Sequence, residues 1–161
     1  MKDQIGYCGI WCGSCAVGNG TLRVLSEEYG NIVKSYGLGE WGPADVDWKE
    51  FFRCLGSGAA ASACPGCQKG GGRDNCEMRT CATGKGLEEC VACGEQAKCK
   101  HSGILEHMRT GATRVGIFVK TDDTDRRSLI EEWTGKLRKQ WPCSVLFAPT
   151  APPTTPNGDQ H

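Results

Sequence analysis

The sequence predicts a small, α-rich but irregular domain, with an α+β class as the alternative, and three observations carry that expectation. Apolar residues recur at three- and four-residue spacing in four segments, at about 21–36, 43–55, 102–109 and 124–141. Between the second and third of these lies a stretch rich in Gly and Cys without such periodicity. Ordinary apolar residues are also scarce: cysteine is counted within the 39% hydrophobic share, and removing the twelve leaves roughly a third of the residues, thin for a core in a chain of 161. Cross-links of some kind are expected to stand in for the missing core.

Residues 1–20 read as a Gly-rich loop. The first helix follows from Thr21, a suitable N-cap, to Tyr36, with Leu22, Leu25, Tyr29, Ile32, Val33 and Tyr36 at helical spacing and Gly37 placed to end it. Gly30 within it lowers the helix propensity. A second helix starts at Pro43 and sets Trp48, Phe51, Phe52 and Leu55 on one face before Gly56 stops it. That aromatic stripe reads as core rather than as a stacking platform for bases. Residues 64–100 read as loops, in which Gly70, Gly71 and Gly72 free the backbone to fold tightly around an ion. A phosphate-cradling role would need a strand before these glycines and a helix after them, and neither pattern is present.

Ser102 to Arg109 reads as a short helix with Ile104, Leu105 and Met108 inward. Val115, Ile117 and Val119 alternate as in a strand, with a helix as the alternative. From Thr124 to Trp141 the residues Leu129, Trp133, Leu137 and Trp141 lie four apart, Lys136, Arg138 and Lys139 suit a helix C-terminus, and Pro142 ends it. The segment from Pro149 to His161 is rich in Pro and Thr, and is expected to be a disordered tail. One domain over 1–148 is expected, with a C-terminal helical extension over 101–148.

The start, Met1-Lys2-Asp3-Gln4-Ile5-Gly6-Tyr7, has no apolar run of signal-peptide length, and no stretch approaches the length of a membrane span. A cytoplasmic protein without a membrane partner is expected. In a reducing compartment structural disulfides are disfavoured, which moves a cysteine-rich pattern toward metal binding or redox chemistry, ahead of a disulfide framework or unligated thiols. The formal net charge is zero and no basic stripe with interleaved aromatics is present, so no nucleic-acid partner is expected.

Ten of the twelve cysteines fall into short-spaced clusters: Cys8, Cys12 and Cys15, then Cys64, Cys67, Cys76, Cys81, Cys90, Cys93 and Cys99. Thiols two to four residues apart converge on one point, as a tetrahedral thiophilic metal requires. Cys64-Pro65-Gly66-Cys67 and Cys90-Val91-Ala92-Cys93 are knuckles whose turns aim backbone amides at sulfur. A redox dithiol would want a strand before it and a helix N-terminus beneath it, and a Gly- and Pro-containing loop supplies neither. The Cys8-x3-Cys12-x2-Cys15 spacing also occurs in radical enzymes that cleave S-adenosylmethionine, but those surround it with a (β/α) barrel that this short chain cannot build. A simpler iron-sulfur site, such as a 4Fe-4S cluster, remains open beside zinc.

Two zinc ions are expected from ten cysteines; three sites would require His101, His107 or the lone thiols Cys54 and Cys143 to join. The preferred partition is Cys12, Cys15, Cys64 and Cys67 in one set and Cys76, Cys81, Cys90 and Cys93 in the other, with Cys8 and Cys99 able to replace a member of either. Each four-thiolate zinc centre carries about two negative charges. Lys69, Arg73, Arg79, Lys85, Lys98 and Lys100 are placed to screen them. His101 is expected to be exposed at a helix start and His107 to sit on a polar face. No catalytic residue is assigned, and Glu27, Glu28, Glu131 and Glu132 read as solvated helical faces.

The run Tyr7-Cys8-Gly9-Ile10-Trp11-Cys12-Gly13-Ser14-Cys15, then Cys64-Pro65-Gly66-Cys67 with the triple glycine, Cys76-Glu77-Met78-Arg79-Thr80-Cys81-Ala82, Lys85-Gly86, Cys90-x2-Cys93 and Cys99, resembles the small cysteine-rich family labelled domain of unknown function 3795. The resemblance covers about residues 5–101 and implies a zinc-binding protein of anaerobe-rich bacterial and archaeal groups with no settled activity. Two departures stand out. Lys98 replaces the Pro often found before the cysteine matching Cys99. Gln140-Trp141-Pro142-Cys143 lacks the partner knuckle with which some members continue into a zinc ribbon, so Cys143 reads as a buried or idle thiol. The expected function is structural zinc binding in an interaction module of a cytosolic complex, with another protein as partner and no enzymatic activity. The alternatives are an iron-sulfur protein in electron transfer or redox catalysis, and an enzyme with an open zinc position.

Overall fold

The four periodic segments of the sequence are helices in the structure, a computed structural model that describes residues 3–149. The expected tail lies outside the described residues from 150 onward. In chain order the helices are α1 (Ala16–Asn19), α2 (Thr21–Ser35), α3 (Leu38–Trp41), α4 (Trp48–Ala60), α5 (Glu77–Gly84), α6 (Ser102–Arg114) and α7 (Arg126–Leu137). Single 3-10 turns at Cys12–Ser14, Cys67–Lys69, Cys90–Ala92, Gln96–Lys98 and Cys143–Phe147 punctuate the loops between them. The helix-rich, irregular class is the one the sequence predicts.

Helix boundaries differ from the expected ones where capping side chains intervene. Gly20, left-handed at φ 91°, takes the N-cap place of α2, while Thr21 is fully buried and donates its N–H to Asn19 Oδ1 at 2.9 Å. Helix α4 begins beyond Pro43 because the Asp47 carboxylate accepts from the Glu50 N–H at 3.0 Å. It runs through Gly56 to Ala60, since Gly58 faces α2 so closely that a Cβ there would strike Ser26. Helix α6 passes Arg109 and Gly111 to reach Arg114, and Gly116 at φ 76° follows its end. Asp125 caps α7 through the Ser128 N–H at 2.9 Å, and that helix stops at Leu137, short of Trp141. Helix α5 lies within the stretch expected to be loop; its buried residues are only Met78 and Ala82, too few to mark a periodicity.

Among the described residues no named strand occurs. In place of a strand at Val115–Val119 there is an isolated bridge, Ile10 to Val119, beside a second, Ile5 to Trp11. The Trp11 N–H donates to the Phe118 carbonyl at 2.9 Å and the Lys120 N–H to the Gly9 carbonyl at 2.8 Å. The pairing is confined because Gly9, at φ 92°, approaches the Lys120 carbonyl more closely than any side chain allows.

These contacts place the N-terminal cysteine loop over the core. Ile5, Trp11, Trp133, Leu137 and Cys143 are buried together, with Phe118, Leu129, Ile130 and Phe147 packed around them. Phe118 stacks on Trp133 at 5.6 Å and 11°, and the Trp11 ring lies 5.8 Å from Trp133. Helices α2 and α4 form a hairpin beside this core. There the expected aromatic stripe is half-buried rather than core: Phe51 meets Tyr29 edge-on at 6.0 Å and Trp48 edge-on at 5.6 Å. Leu22, Tyr29, Ile32, Tyr36 and Trp41 stay exposed, as do Ile104 and Trp141, which the periodicity placed inward. The apolar stripes are wider than the seams that cover them.

Glu89 and Lys120 pair at 2.5 Å with each side chain only 9% exposed, fastening the loop before Cys90 to the segment that carries Phe118. Replacing one partner leaves a buried charge uncompensated, whereas an apolar pair of similar volume does not. We expect Lys120→Met to lower stability in urea unfolding by about 3 kcal/mol, and the double variant Glu89→Leu, Lys120→Met to recover most of the loss.

Candidate metal centre

The ten clustered cysteines gather around two cavities. Cys8, Cys12, Cys15, Cys64, Cys67 and Cys76 line the first, of about 210 Å³, with Ile10, Met108 and several glycines completing its walls. Cys81, Cys90, Cys93 and Cys99 line the second, of about 470 Å³, together with Lys85, His101 and Arg109.

Local backbone geometry sets each thiol in place. A tight turn, with the Gly6 N–H donating to Ile10 at 2.8 Å and the Gly9 N–H to Gly6 at 2.8 Å, presents Cys8. The 3-10 turn Cys12–Ser14 leads directly into α1, so the Cys15 N–H reaches the Cys12 carbonyl at 3.3 Å and both sulfurs face one cavity. The knuckle at Cys64 is tied to α1 by its own N–H, which donates to the Val17 carbonyl at 3.3 Å. Gly66, at φ 90°, packs against the Gln4 amide where no side chain fits, and Gln4 Oε1 also accepts from the Cys12 thiol at 3.6 Å. The Gly72 N–H donates to Cys64 Sγ at 3.3 Å, an amide-to-sulfur contact that comes from the glycine run beyond the knuckle and not from its own turn.

Arg79 organises the loop that follows. Its guanidinium donates to the carbonyls of Cys67 at 3.4 Å, Gly71 at 3.0 Å and Arg73 at 2.5 Å, binding the glycine run to α5. In the second cavity Lys85 Nζ donates to Cys93 Sγ at 3.6 Å and pairs with Glu95. Arg109 Nε donates to the Cys8 carbonyl at 2.9 Å, and the Cys90 N–H to the Tyr7 carbonyl at 2.7 Å, so the two cavities meet at Cys8.

Burial and crowding push Cys8, Cys12 and Cys90 upward. Burial raises Cys12 to about 11, with Cys67, Cys15 and Cys64 adding like charge. Cys90 is likewise raised to about 11 by burial and then by Cys8, against the opposing Arg109 guanidinium. Burial, with Cys67 and Cys76 adding, raises Cys8 too. Without a cation Cys8, Cys12 and Cys90 therefore remain neutral thiols near pH 7.

None of the twelve cysteines is in a disulfide. Among the described residues no group of three or more Cys, His, Asp or Glu side chains stands in an arrangement that holds a metal ion. The donor set itself suits a thiophilic cation: ten sulfurs from residues 8–15 and 64–99, with His101 in the wall of the second cavity, and an amide and an ammonium already directed at two of the sulfurs.

Cys12, Cys15, Cys64 and Cys67 share the first cavity, as in the preferred partition. The second set differs from it, because Cys76 lines the first cavity and Cys99 occupies the second with Cys81, Cys90 and Cys93. Cys143 is buried in the apolar core and receives a bond from Asn19 Nδ2 at 3.5 Å, whereas Cys54 is exposed on α4. His107 is exposed as expected. His101 is not: its ring is 13% exposed, lies in the wall of the second cavity and meets Glu77 Oε2 at 2.8 Å. Gln4, Arg79 and Arg109 have no sequence signature for their roles, because each acts on backbone or sulfur brought close only by the fold.

Hydrogen bonds from a charged group are each worth about 1.5–3 kcal/mol. We expect Arg79→Ala to destabilise the chain by about 2 kcal/mol in urea unfolding, with Arg79→Lys intermediate, since an ammonium cannot span the same three carbonyls.

Comparison with curated proteins and with solved structures finds no match. The family described as "Protein of unknown function (DUF3795)" matches over residues 4–103, a span that takes in every cysteine of both cavities. It covers more than half of the chain and stops at the start of α6. The chain belongs to the DUF3795 family.

Proposed function

We propose that this is a zinc-binding protein whose clustered thiolates hold the ions for structural purposes, and that it acts as an interaction module for another protein in a cytoplasmic complex. The observation that carries this proposal is the segregation of ten thiols into two cavities whose walls come from three separated stretches of chain. Bound zinc would supply divalent charge to draw the thiols into thiolates and cross-link those stretches. Cys12, Cys15, Cys64 and Cys67 would hold it in the first cavity, and Cys81, Cys90, Cys93 and Cys99 in the second. With four sulfurs available in each, neither cavity requires the open position of a catalytic zinc. Gly72 N–H and Lys85 Nζ would offset thiolate charge. The exposed apolar residues along α2 and α3, Leu22, Tyr29, Ile32, Tyr36 and Trp41, support a protein partner. No helix of the described residues is long and apolar enough to cross a membrane.

A second proposal, an iron-sulfur protein in electron transfer or redox catalysis, is favoured by one feature: Cys8, Cys12 and Cys15 all face the first cavity, with its largely apolar wall. Anaerobic purification followed by elemental analysis and a visible spectrum separates the two. Zinc with no visible absorption is expected; iron with a brown chromophore would replace the first proposal with the second. Stripping zinc with a chelator is expected to reduce far-UV circular dichroism and broaden the melt, and an unchanged signal would remove the structural role.

The two forms should also respond to pH in opposite directions. In the metal-free chain Cys12 and Cys90 sit at about 11 against an ordinary 9.0, so the folded state favours their neutral form. The stability they contribute is complete below pH 9 and lost as pH rises through about 11. In the zinc-loaded chain protons compete with metal for thiolate, so stability falls as pH falls. Urea unfolding of both forms across pH 5–11 checks the crossing; parallel profiles would count against zinc thiolates.

A further inference from the structure

We infer that the clustered cysteines hold three metal ions in one continuous array, the middle ion seated on Cys8 and Cys76 and sharing Cys67 with the ion of the first cavity and Cys90 with the ion of the second. This inference rests on the zinc proposal above and extends its stoichiometry.

Two separate tetrahedral sites account for eight thiols and leave Cys8 and Cys76 without a role. Both line the first cavity, which already has four sulfurs. Cys76 is the residue just before α5, whose Met78, Cys81 and Ala82 line the second cavity. The point where a Cβ would stand on Gly6 lies 2.9 Å from Cys67 Sγ and 3.9 Å from Cys8 Sγ, so these two sulfurs flank one glycine with no side chain between them. On the other side, the Cys90 N–H to Tyr7 carbonyl bond at 2.7 Å ties the second knuckle to the residue preceding Cys8. Arg109, which lines the second cavity, holds the Cys8 carbonyl at 2.9 Å. Cys8 is therefore at the seam, with Cys67 on one side and Cys90 on the other.

Coordination arithmetic agrees. Three four-coordinate ions need twelve donor positions, and ten thiolates with two of them bridging supply twelve. The third ion adds no net charge, because the two positive charges it brings replace the protons released by Cys8 and Cys76. That neutrality lets the seam fill without adding charge to the cavity walls.

The test uses the full-length chain loaded with cadmium-113, with metal counted by elemental analysis and native mass spectrometry and examined by cadmium NMR. Three ions per chain are expected, with the middle resonance split by both neighbours through the bridging sulfurs. The double variant Cys8→Ser, Cys76→Ser should retain two ions and lose both splittings; should it fail to fold, the wild-type splittings decide alone. Two ions without mutual splitting, or three without it, would overturn the array and leave the two-site zinc proposal standing. A chain that retains no cadmium or zinc would overturn both.

Discussion

The structure depends on one constraint: sulfur occupies the places where a chain of this length would ordinarily pack hydrocarbon. Ten thiols face two cavities between the N-terminal loop, α5 and the loops before α6, while the fully apolar core is a single cluster around Trp11, Trp133 and Leu137. A thiol is a weak hydrogen-bonding group and packs as a small hydrophobe, so metal-free sulfurs at these positions add some burial but little cohesion. Their like charges also oppose ionisation, as the raised values of Cys12 and Cys90 record. In the proposed zinc-bound protein the same crowding that repels thiolates would favour a divalent cation, and the arrangement would gain cohesion as that charge enters it. Metal and fold are in this sense one problem.

The apolar core has a narrower task, which is to hold the N-terminal cysteine loop at a fixed height. Trp11 stands between Cys8 and Cys12 in sequence and is completely buried against Trp133. Its N–H is spent on Phe118, and Gly9 presses on the carbonyl of Lys120. Cys8 and Cys12 thus leave opposite sides of a residue that cannot move, one toward the seam between cavities and one toward Gln4 and Gly66. The buried Glu89–Lys120 pair sets the second knuckle against the same segment. Positions outside the matched family span therefore help place cysteines inside it, since Phe118, Lys120, Trp133 and Leu137 all lie beyond residue 103.

Much of this was legible in the sequence, and the parts that were not share a physical cause. Helices α2, α4, α6 and α7 follow from the spacing of their apolar residues, because a repeat near 3.6 survives many substitutions. Their ends depend on single side-chain bonds, such as Asp47 to Glu50 and Asp125 to Ser128, which periodicity does not register. The alternation at Val115, Ile117 and Val119 suggested a strand, yet only a bridge forms, because the close approach of Gly9 to Lys120 limits the pairing. Cysteine spacing grouped Cys12 with Cys15 and Cys64 with Cys67, and all four line one cavity. It also grouped Cys76 with Cys81, which line different cavities here: Cys76 is the residue just before α5 and Cys81 lies in its middle, while Cys99 takes the place that the alternative left open. At 3.6 residues per turn that separation points them apart, one into each cavity. A loop would have let them converge, and α5 was the helix the sequence did not disclose.

The α2–α4 hairpin explains how cysteines so distant in sequence can share the first cavity at modest entropic cost. Cys15 and Cys64 bracket the whole hairpin, and closing a flexible loop of that length would cost more as its length grows. The chain between them is not flexible, because α2 and α4 pack along Gly30 with Leu55 and Ser26 with Gly58, and the Cys64 N–H meets Val17 at the base. Most of the closure is therefore made by helix packing before any ligand is gathered. The hairpin in turn buries little: α4 has no fully buried residue, and α2 only Thr21, Gly30 and Val33. Such a pair is marginal alone and gains most from having its two ends tied. In the proposed metal-bound protein the first-cavity ion ties those ends, so the hairpin prepares the site and the site retains the hairpin. In that protein the broad apolar face that α2 leaves open need not be buried within the chain, because the hairpin would be fastened at its base.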